Sequence, residues 1–188
     1  KKENRAIEKK EEPIKRGDYF LIKDLDELDE WIKEAEEIGE VAVDTETNSL
    51  DPHQADLVGI SLSSKIGRAC YVPIGHKSKN NLKKSLVLNK LKPLLEDPSI
   101  KKIGQNIKFD FIILYKNGVR ATAMEDTMLM SYVLDAGRNR HNMDTLSEIH
   151  LGHKTISFKE LVGSGKKQIN FSDVDINKAK DYAAEDAD

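Results

Sequence analysis

The order of the apolar segments predicts an α/β fold in which a mixed sheet is flanked by helices. Three strand candidates follow one another with short connections in the first half of the chain, which predicts an antiparallel meander. A later strand candidate lies between two amphipathic segments, and the last third of the chain shows mostly helical periodicity. Strands that alternate with helices and are then followed by them indicate a layered domain whose sheet also contains parallel strands.

The strand candidates are short apolar runs bounded by polar or turn-forming residues. They lie at residues 19–22, 41–47, 57–63, 69–74 and 101–104. Residues 65–68, Lys-Ile-Gly-Arg, are expected to turn the chain between the third run and the fourth. Cys70 lies in the fourth run, and its apolar neighbours predict a core residue and not a nucleophile.

The helix candidates carry apolar residues at three- and four-residue spacing. They are predicted at residues 25–38, 82–96, 106–117, 127–134, 144–150, 158–162 and from 176 to the end. Asp24 is the expected N-cap of the first helix and Gly39 its end. Pro98 stops the second helix, and Gly118 ends the third.

The domain organisation follows from composition. Residues 1–17 are dominated by Lys and Glu and are predicted to be a flexible charged linker, so that the folded domain occupies residues 18–188. The chain does not begin with Met, and its last residues have a helical pattern without a C-cap signal. We therefore expect these residues to be a piece of a larger protein.

The overall composition is that of a globular domain with a polar surface. Hydrophobic residues make up 38% and charged residues 34% of the 188 residues, and no apolar run approaches the length that spans a bilayer. A single cysteine fits a reducing compartment, so we expect a cytoplasmic protein without membrane contact. The net charge of −3 decides little about nucleic-acid binding, because an acidic metal site lowers the sum even when the substrate is a polyanion.

Asp44 and Glu46 stand two residues apart at the end of an apolar strand candidate. Side chains at this spacing on a strand point to the same face, and like charges so close repel each other unless a cation lies between them. Carboxylate oxygens suit Mg²⁺ and Mn²⁺. On this segment alone, a metal site and a strand end with two solvated acids are about equally compatible with the sequence.

Two further segments place an acid four residues after a polar side chain. Asn106 and Asp110 would share one helical face. A helix cap is the simpler account of Asn106, whereas the apolar neighbours of Asp110 favour a ligand or an ion pair, because an unpaired buried carboxylate is costly. Tyr182 and Asp186 have the same spacing, in a segment whose other acids also fit an exposed helix end.

Together and in this order, the three acidic segments resemble the DEDDy branch of the DnaQ-like 3′–5′ exonucleases. The sequence is most similar to the proofreading exonuclease domain of bacterial DNA polymerase I, which belongs to family A. The likeness covers residues 17–188, and four segments carry it, at residues 43–50, 104–110, 153–158 and 182–188. The resemblance implies a ribonuclease H-like fold.

The resemblance also implies hydrolysis with two divalent metal ions, Mg²⁺ or Mn²⁺. By matched motif, Asp44, Glu46, Asp110 and Asp186 would hold the ions, with Asp44 between them, and Tyr182 would orient the attacking water. The expected substrate is the 3′ end of single-stranded or frayed DNA, and the expected product is a nucleoside monophosphate. A polymerase domain is expected to follow in the same chain, which we expect to be a monomer.

Five other residues match substrate-contacting positions of that family. Leu50 and Phe158 would pack against the 3′-terminal bases, which favours unpaired ends, although simple core membership also explains either residue. Gln105, Asn106 and Arg140 would hydrogen-bond the sugar and the phosphates. A solvated surface arginine is the simpler account of Arg140.

Two other functions stay open on the sequence. An RNase D-like RNA 3′-exonuclease would carry the same acid pattern, and a catalytically inactive exonuclease-like scaffold would keep the fold. The presence of four acids and the tyrosine favours an active enzyme over the scaffold. Phe109 departs from relatives that carry tyrosine at this position, which would remove one substrate contact.

Other motifs are predicted not to carry the chemistry. Residues 163–167, Gly-Ser-Gly-Lys-Lys, lack the earlier glycine and the Ser or Thr of a phosphate-binding loop, and indicate a flexible basic loop. The five histidines show no zinc-ligand spacing. His141 is the histidine whose position in the structure is of most interest, because it directly follows Arg140. The absence of a histidine near Asp186 argues against the exonuclease branch that uses a histidine base.

Overall fold

The computed structural model describes residues 17–78 and 80–188. Of the predicted linker at residues 1–17, all but Gly17 lies outside the described residues. In the described part, strands β1 to β6 span Asp18–Leu21, Glu40–Thr47, Leu57–Lys65, Arg68–Pro73, Lys101–Gly104 and Met124–Asp126. Helices α1 to α7 span Leu25–Ile38, Lys84–Glu96, Lys108–Lys116, Thr127–Asp135, Met143–Leu151, Phe158–Val162 and Ile176–Ala187. Two 3₁₀ turns lie at Gly165–Lys167 and Phe171–Asp173.

The described strands form one mixed sheet in the order β1-β4-β3-β2-β5-β6. Strands β2, β3 and β4 are the predicted antiparallel meander. The pairs β1–β4, β2–β5 and β5–β6 are parallel. The mixed α/β sheet with flanking helices is therefore confirmed.

The position of β2 explains where a site can form. This strand pairs with β3 on one side and runs parallel to β5 on the other, so the carboxyl ends of β2 and β5 lie at the same edge of the sheet. The chain leaves β5 directly into α3. Residues at the end of β2 and in the first turn of α3 are thereby brought together, although they are far apart in sequence.

Helices cover both faces of the sheet. On one face, α1, α2 and α3 bury a large apolar cluster that includes Leu28, Trp31, Leu91, Ile113 and the predicted core residue Cys70. On the other face, α7 packs across β1 to β4. Its small residues Ala179 and Ala183 are fully buried beside Tyr71 and Phe171. Small side chains allow close approach of the helix to the sheet, which brings the polar end of α7 toward β2.

The start of α3 differs from the sequence prediction. The helix was expected to begin at Asn106, but it begins at Lys108, with Ile107 as its N-cap. Asn106 has a φ of 58°, in the left-handed region, and its backbone N–H donates to Asp126 Oδ1 at 3.0 Å. The hypotheses that Asn106 caps this helix and that it shares a helical face with Asp110 are therefore wrong, because a backbone hydrogen bond outside the helix fixes its conformation.

Strand β6 was not predicted from the sequence. It has only three residues, Met124–Asp126, and pairs with β5 at the edge of the sheet. Two of its residues are acidic, so it carries no alternating apolar pattern. None of the helices in the described part of the chain is both long and apolar enough to cross a membrane.

Candidate active site

Three carboxylates, two on β2 and one far away in sequence on α7, meet at the end of β2. Asp44, Glu46 and Asp186 each offer an oxygen, and these oxygens lie within 4.8 Å of one another. The strand spacing places Asp44 and Glu46 on one face, and α7 crosses that face with Asp186 in its last turn. The structure thus brings together the predicted acids of the first and third segments.

Asp110 joins this cluster through Thr45. Its Oδ1 accepts the Thr45 backbone N–H at 2.9 Å and the Thr45 hydroxyl at 2.6 Å, and all of these groups are buried. The acid in the first turn of α3 is therefore fixed to the strand residue between Asp44 and Glu46. Sequence analysis missed Thr45, and no signal marked it, because its role depends on a contact between residues 65 positions apart.

The four carboxyl groups disfavour one another's charge. Burial, followed by the charge of Asp186, raises the pKa of Asp44 to about 7. Burial, followed by the charge of Asp44, raises the pKa of Asp110 to about 8. The pKa of Asp186 rises to about 7, chiefly by burial. Burial and then the other three acids hold the pKa of Glu46 well above its usual range. A bound cation would reverse these shifts.

The donor set fits a divalent cation. Glu46 Oε1 is buried, and no hydrogen bond reaches it from the described residues. Within the same residues, no lysine or arginine forms an ion pair with any of the four acids. Clustered carboxylate oxygens without a protein cation are the ligands that Mg²⁺ and Mn²⁺ prefer. The cluster therefore fits the use of a divalent metal.

Tyr182 lies one helical turn before Asp186 on α7. A hydrogen bond from its phenol acts to lower the pKa of Asp186. Burial, followed by the charges of Asp186, Glu46 and Asp44, raises the pKa of Tyr182 far above its ordinary value. The phenol is therefore a protonated hydrogen-bond donor at neutral pH.

A cleft of about 650 Å³ opens over the acids. Leu50 and Phe158 line it, and 88% of the Leu50 surface is exposed, so Leu50 is not a core residue. The Phe158 ring is 38% exposed and meets the Tyr182 ring edge-on, with 6.1 Å between centroids. The centroid of the Phe171 ring lies 6.2 Å from that of Tyr182.

The predicted polar contacts are only partly gathered in the cleft. Gln105 and Asn106 line it. The Gln105 side chain donates to the His141 carbonyl at 2.7 Å and accepts from the Thr127 hydroxyl at 2.6 Å. Arg140 is exposed and does not line the cleft, although it precedes His141, which the Gln105 amide holds.

One wall of the cleft was missed by sequence analysis. It consists of residues 168–171, Gln-Ile-Asn-Phe, which run from the end of the first 3₁₀ turn to the first residue of the second. Asn170 Nδ2 donates to the Asn48 carbonyl at 2.7 Å, which ties this wall to the segment that carries Leu50. Such short irregular segments have no periodicity from which their position could be predicted.

Glu185 was also missed, because it looked like one acid among several at a helix end. It is buried, and its carboxylate contacts His153 Nε2 at 3.0 Å and accepts the Ile156 backbone N–H at 2.5 Å. These contacts fasten the segment before Phe158 to α7, next to Asp186. His153 thus contacts the acid that precedes Asp186 and is not one of the clustered carboxylate residues.

The sheet order and the acid cluster define the class of protein. The structure of NrnC from Brucella melitensis matches with a TM-score of 0.65 and 26% identity, covering 90% of this chain and 74% of that chain. Escherichia coli RNase D, an exoribonuclease, matches with a TM-score of 0.65 at 19% identity over 90% of this chain and 41% of its own, and so shows the shared fold. The molecule has the ribonuclease H-like fold of these exonucleases, as the motifs implied.

The sequence comparisons identify the family within this class. The family described as 3′–5′ exonuclease, which occurs in family A DNA polymerases, matches residues 19–188. This chain belongs to that 3′–5′ exonuclease domain family, which confirms the resemblance seen in the motifs. DNA polymerase I of Rhizobium leguminosarum is 46% identical over 197 residues, covering 94% of this chain and 19% of the relative. DNA polymerase I of Pseudomonas aeruginosa is 45% identical, covering 91% and 19%. The chain thus spans about a fifth of the length of these relatives.

Proposed function

We propose that this chain hydrolyses the terminal phosphodiester at the 3′ end of single-stranded or frayed DNA and releases nucleoside monophosphates. The observation that carries the proposal is the convergence of Asp44, Glu46 and Asp186 at one end of a cleft, with Asp110 held beside them by Thr45. Membership of the 3′–5′ exonuclease family gives this acid cluster its reaction class.

The four acids would hold two divalent cations, Mg²⁺ or Mn²⁺. When bound, the cations would offset negative charge on the phosphate oxygens and favour deprotonation of the attacking water. Asp44 is the best candidate for a shared ligand, because its charge acts on both Glu46 and Asp110 and its own pKa responds to Asp186.

Tyr182 would position the attacking water and would not act as its base. Its raised pKa supports this division, because a phenol that keeps its proton can orient a water but cannot remove a proton from it. Packing against Phe158 and Phe171 restricts the ring, so the hydroxyl is presented at a fixed place beside Asp186.

Leu50 and Phe158, which both line the cleft, would contact the 3′-terminal bases. An exposed leucine and an accessible phenylalanine ring next to the acids are suited to unstacked bases. Unpairing costs least at a mismatch, which would direct hydrolysis to misincorporated ends. Gln105, Asn106 and Arg140 would contact the sugar and phosphates, with weaker support for Arg140 because it lies outside the cleft lining.

DNA is favoured over RNA as the substrate, and a polymerase domain in the same protein is favoured. Two relatives at 45% and 46% identity are DNA polymerase I proteins of which this chain matches 19%. The likeness to RNase D is at 19% identity and concerns the fold. The proposed biological role is therefore proofreading during DNA synthesis.

Digestion of 5′-labelled single-stranded DNA tests the proposal. Wild type in Mg²⁺ or Mn²⁺ should shorten the strand one nucleotide at a time from its 3′ end, and EDTA should stop the reaction. Asp44→Ala should lower kcat/KM by roughly 1,000-fold or more, equivalent to about 4 kcal/mol of transition-state stabilisation. RNA of the same sequence is the matched substrate control.

Three outcomes would count against the proposal. Faster digestion of RNA than of DNA would favour the RNA exonuclease. No cleavage by a sample with a cooperative unfolding transition would favour an inactive scaffold. Cleavage that persists unchanged in EDTA or in Asp44→Ala would remove the acid cluster from the reaction.

A further inference from the structure

We propose that three lysines beside the cleft, Lys159, Lys166 and Lys167, form a contact surface for the backbone of the single strand that enters the site. This group is called the basic rim. The inference rests on the proposed function and extends it from the 3′-terminal nucleotide to the upstream part of the strand. None of these lysines belongs to the acid cluster or to the residues that line the cleft.

The basic rim is continuous with the cleft in the chain. Phe158 lines the cleft and Lys159 follows it in α6, while Gln168 lines the cleft and directly follows Lys167. The segment between them is thus connected at both ends to residues that face the substrate space. A strand that leaves the acids past Phe158 has this segment beside it.

The backbone of the rim is fixed by hydrogen bonds. The Gly163 N–H donates to the Lys159 carbonyl at 2.9 Å, and the Ile169 N–H donates to the Val162 carbonyl at 2.9 Å. Residues Gly165–Lys167 form a 3₁₀ turn, in which the Gln168 N–H donates to the Gly165 carbonyl at 3.1 Å. The basic loop predicted from the sequence therefore has a defined path, which ends at Gln168, the first lining residue of the neighbouring cleft wall.

The rim carries an excess of positive charge. Its lysines are exposed, and none forms an ion pair with a described residue. The acid within the same segment, Glu160, is occupied in the capping box of α6, where it accepts the Ser157 N–H at 3.0 Å and hydroxyl at 2.8 Å. Lysines without protein partners beside a carboxylate-rich centre are suited to phosphates, whose contacts release counterions from the strand.

The surroundings of the rim favour a nucleic-acid strand over an acidic peptide. Ile169, 45% exposed, and Phe158, 38% exposed, stand next to the lysines on the same wall. Apolar and aromatic side chains interleaved with cations provide stacking for bases and pairing for phosphates, which is the usual combination in single-strand binding.

The test compares the double variant Lys166→Ala/Lys167→Ala with a control double variant, whose two lysines lie away from the cleft. The control is Lys33→Ala/Lys101→Ala, which removes the same charge from the second half of α1 and the start of β5. Binding of a fluorescent strand of about 12 nucleotides is measured by anisotropy in EDTA over a salt series. The rim variant should lower the slope of log affinity against log salt by about 1.4, or about 0.7 per phosphate contact. Lys166→Arg/Lys167→Arg should keep the wild-type slope.

Kinetics in Mg²⁺ supply a second measurement. For wild type, kcat/KM should rise from a dinucleotide to the longer strand, and the rim variant should reduce this ratio by roughly 10-fold. A salt slope equal to that of wild type, an equal fall in the control pair, or no detectable binding by wild type would overturn the inference. Binding with the expected slopes but without cleavage would leave the inference standing and overturn the proposed function. Cleavage by wild type, together with a salt slope of the rim variant equal to that of wild type, would support the proposed function and overturn the inference.

Discussion

In the proposed function, the phenol of Tyr182 lies close to the reacting groups without being their base. Burial raises its pKa most, and the charges of Asp186, Glu46 and Asp44 add to the effect, so the pKa moves away from the range in which a general base is useful. Its ring packs against Phe158 and Phe171, which leaves the hydroxyl as the part of the side chain that acts on its surroundings.

Tyr182→Phe tests this role at the scale of a single atom. The variant should lower kcat on single-stranded DNA by roughly 10- to 100-fold, because the water loses a hydrogen-bond partner. The affinity for Mn²⁺ should be close to that of wild type, since the carboxylates are intact. Calorimetric titration with Mn²⁺, beside single-turnover digestion, separates the two effects. A parallel loss of Mn²⁺ affinity would show that the phenol supports the metal site instead.

At the scale of secondary-structure elements, the site depends on the joint between β2 and α3. Thr45 uses both its backbone N–H and its hydroxyl to hold Asp110, so the strand fixes the first turn of the helix. On the other face of β2, which carries Asp44 and Glu46, the neighbouring strand β3 leaves room because Gly59 stands opposite Glu46 and has no side chain. A Cβ at Gly59 would lie 2.0 Å from the Tyr71 hydroxyl, so this position accepts only glycine without a shift of the tyrosine.

Thr45→Val tests the joint, because valine has nearly the same shape and lacks the hydroxyl. The loss of a hydrogen bond to a carboxylate should lower the free energy of unfolding by about 1.5–3 kcal/mol. Mn²⁺ affinity and kcat should both fall, because Asp110 loses one of its two anchors. Thr122→Val is the matched control, since the Thr122 hydroxyl donates to the Glu96 carbonyl at 2.9 Å away from the cleft. Equal effects of both variants on Mn²⁺ affinity would contradict a specific role for Thr45.

At the scale of the whole molecule, the acid cluster makes stability depend on pH and on metal. The folded-state pKa values are raised to about 7 for Asp44 and Asp186 and to about 8 for Asp110, against about 4 for an unperturbed carboxyl. Such groups favour the folded state fully at low pH, and this contribution is lost as the pH rises through the folded-state values. The metal-free domain should therefore lose stability between about pH 4 and pH 8 from these groups.

Asp44→Asn isolates this effect from other titrating groups. In EDTA, the difference in Tm between the variant and wild type should move in favour of the variant from about pH 5 to about pH 8. The reason is that the substitution removes one raised carboxyl and its repulsion of Glu46 and Asp110. Mn²⁺ should raise the Tm of wild type more than that of the variant, because it binds the folded acid cluster. Thermal unfolding at each pH gives both results, and a pH-independent difference would contradict the coupling.

The local sequence determined most of the regular elements, although not strand β6 or the start of α3, and it determined the identity of the acids. The spacing of apolar residues located the helix at Leu25–Ile38, with Asp24 and Gly39 at its ends, because side-chain burial repeats with the helical period. The alternation of Asp44 and Glu46 on β2 placed both acids on one face for the same kind of reason. The motifs around them were sufficient to indicate the family.

Only the tertiary structure decided how these parts meet. The parallel pairing of β2 with β5 brings Asp110 to Thr45, and a hydrogen bond from the Asn106 N–H to Asp126 Oδ1 holds Asn106 in a left-handed conformation. The wall at residues 168–171 is positioned by a hydrogen bond from the Asn170 side chain to the Asn48 carbonyl. Each of these contacts joins residues far apart in sequence or overrides a local preference. Periodicity reports which face of an element is buried, but it does not report which other element covers that face.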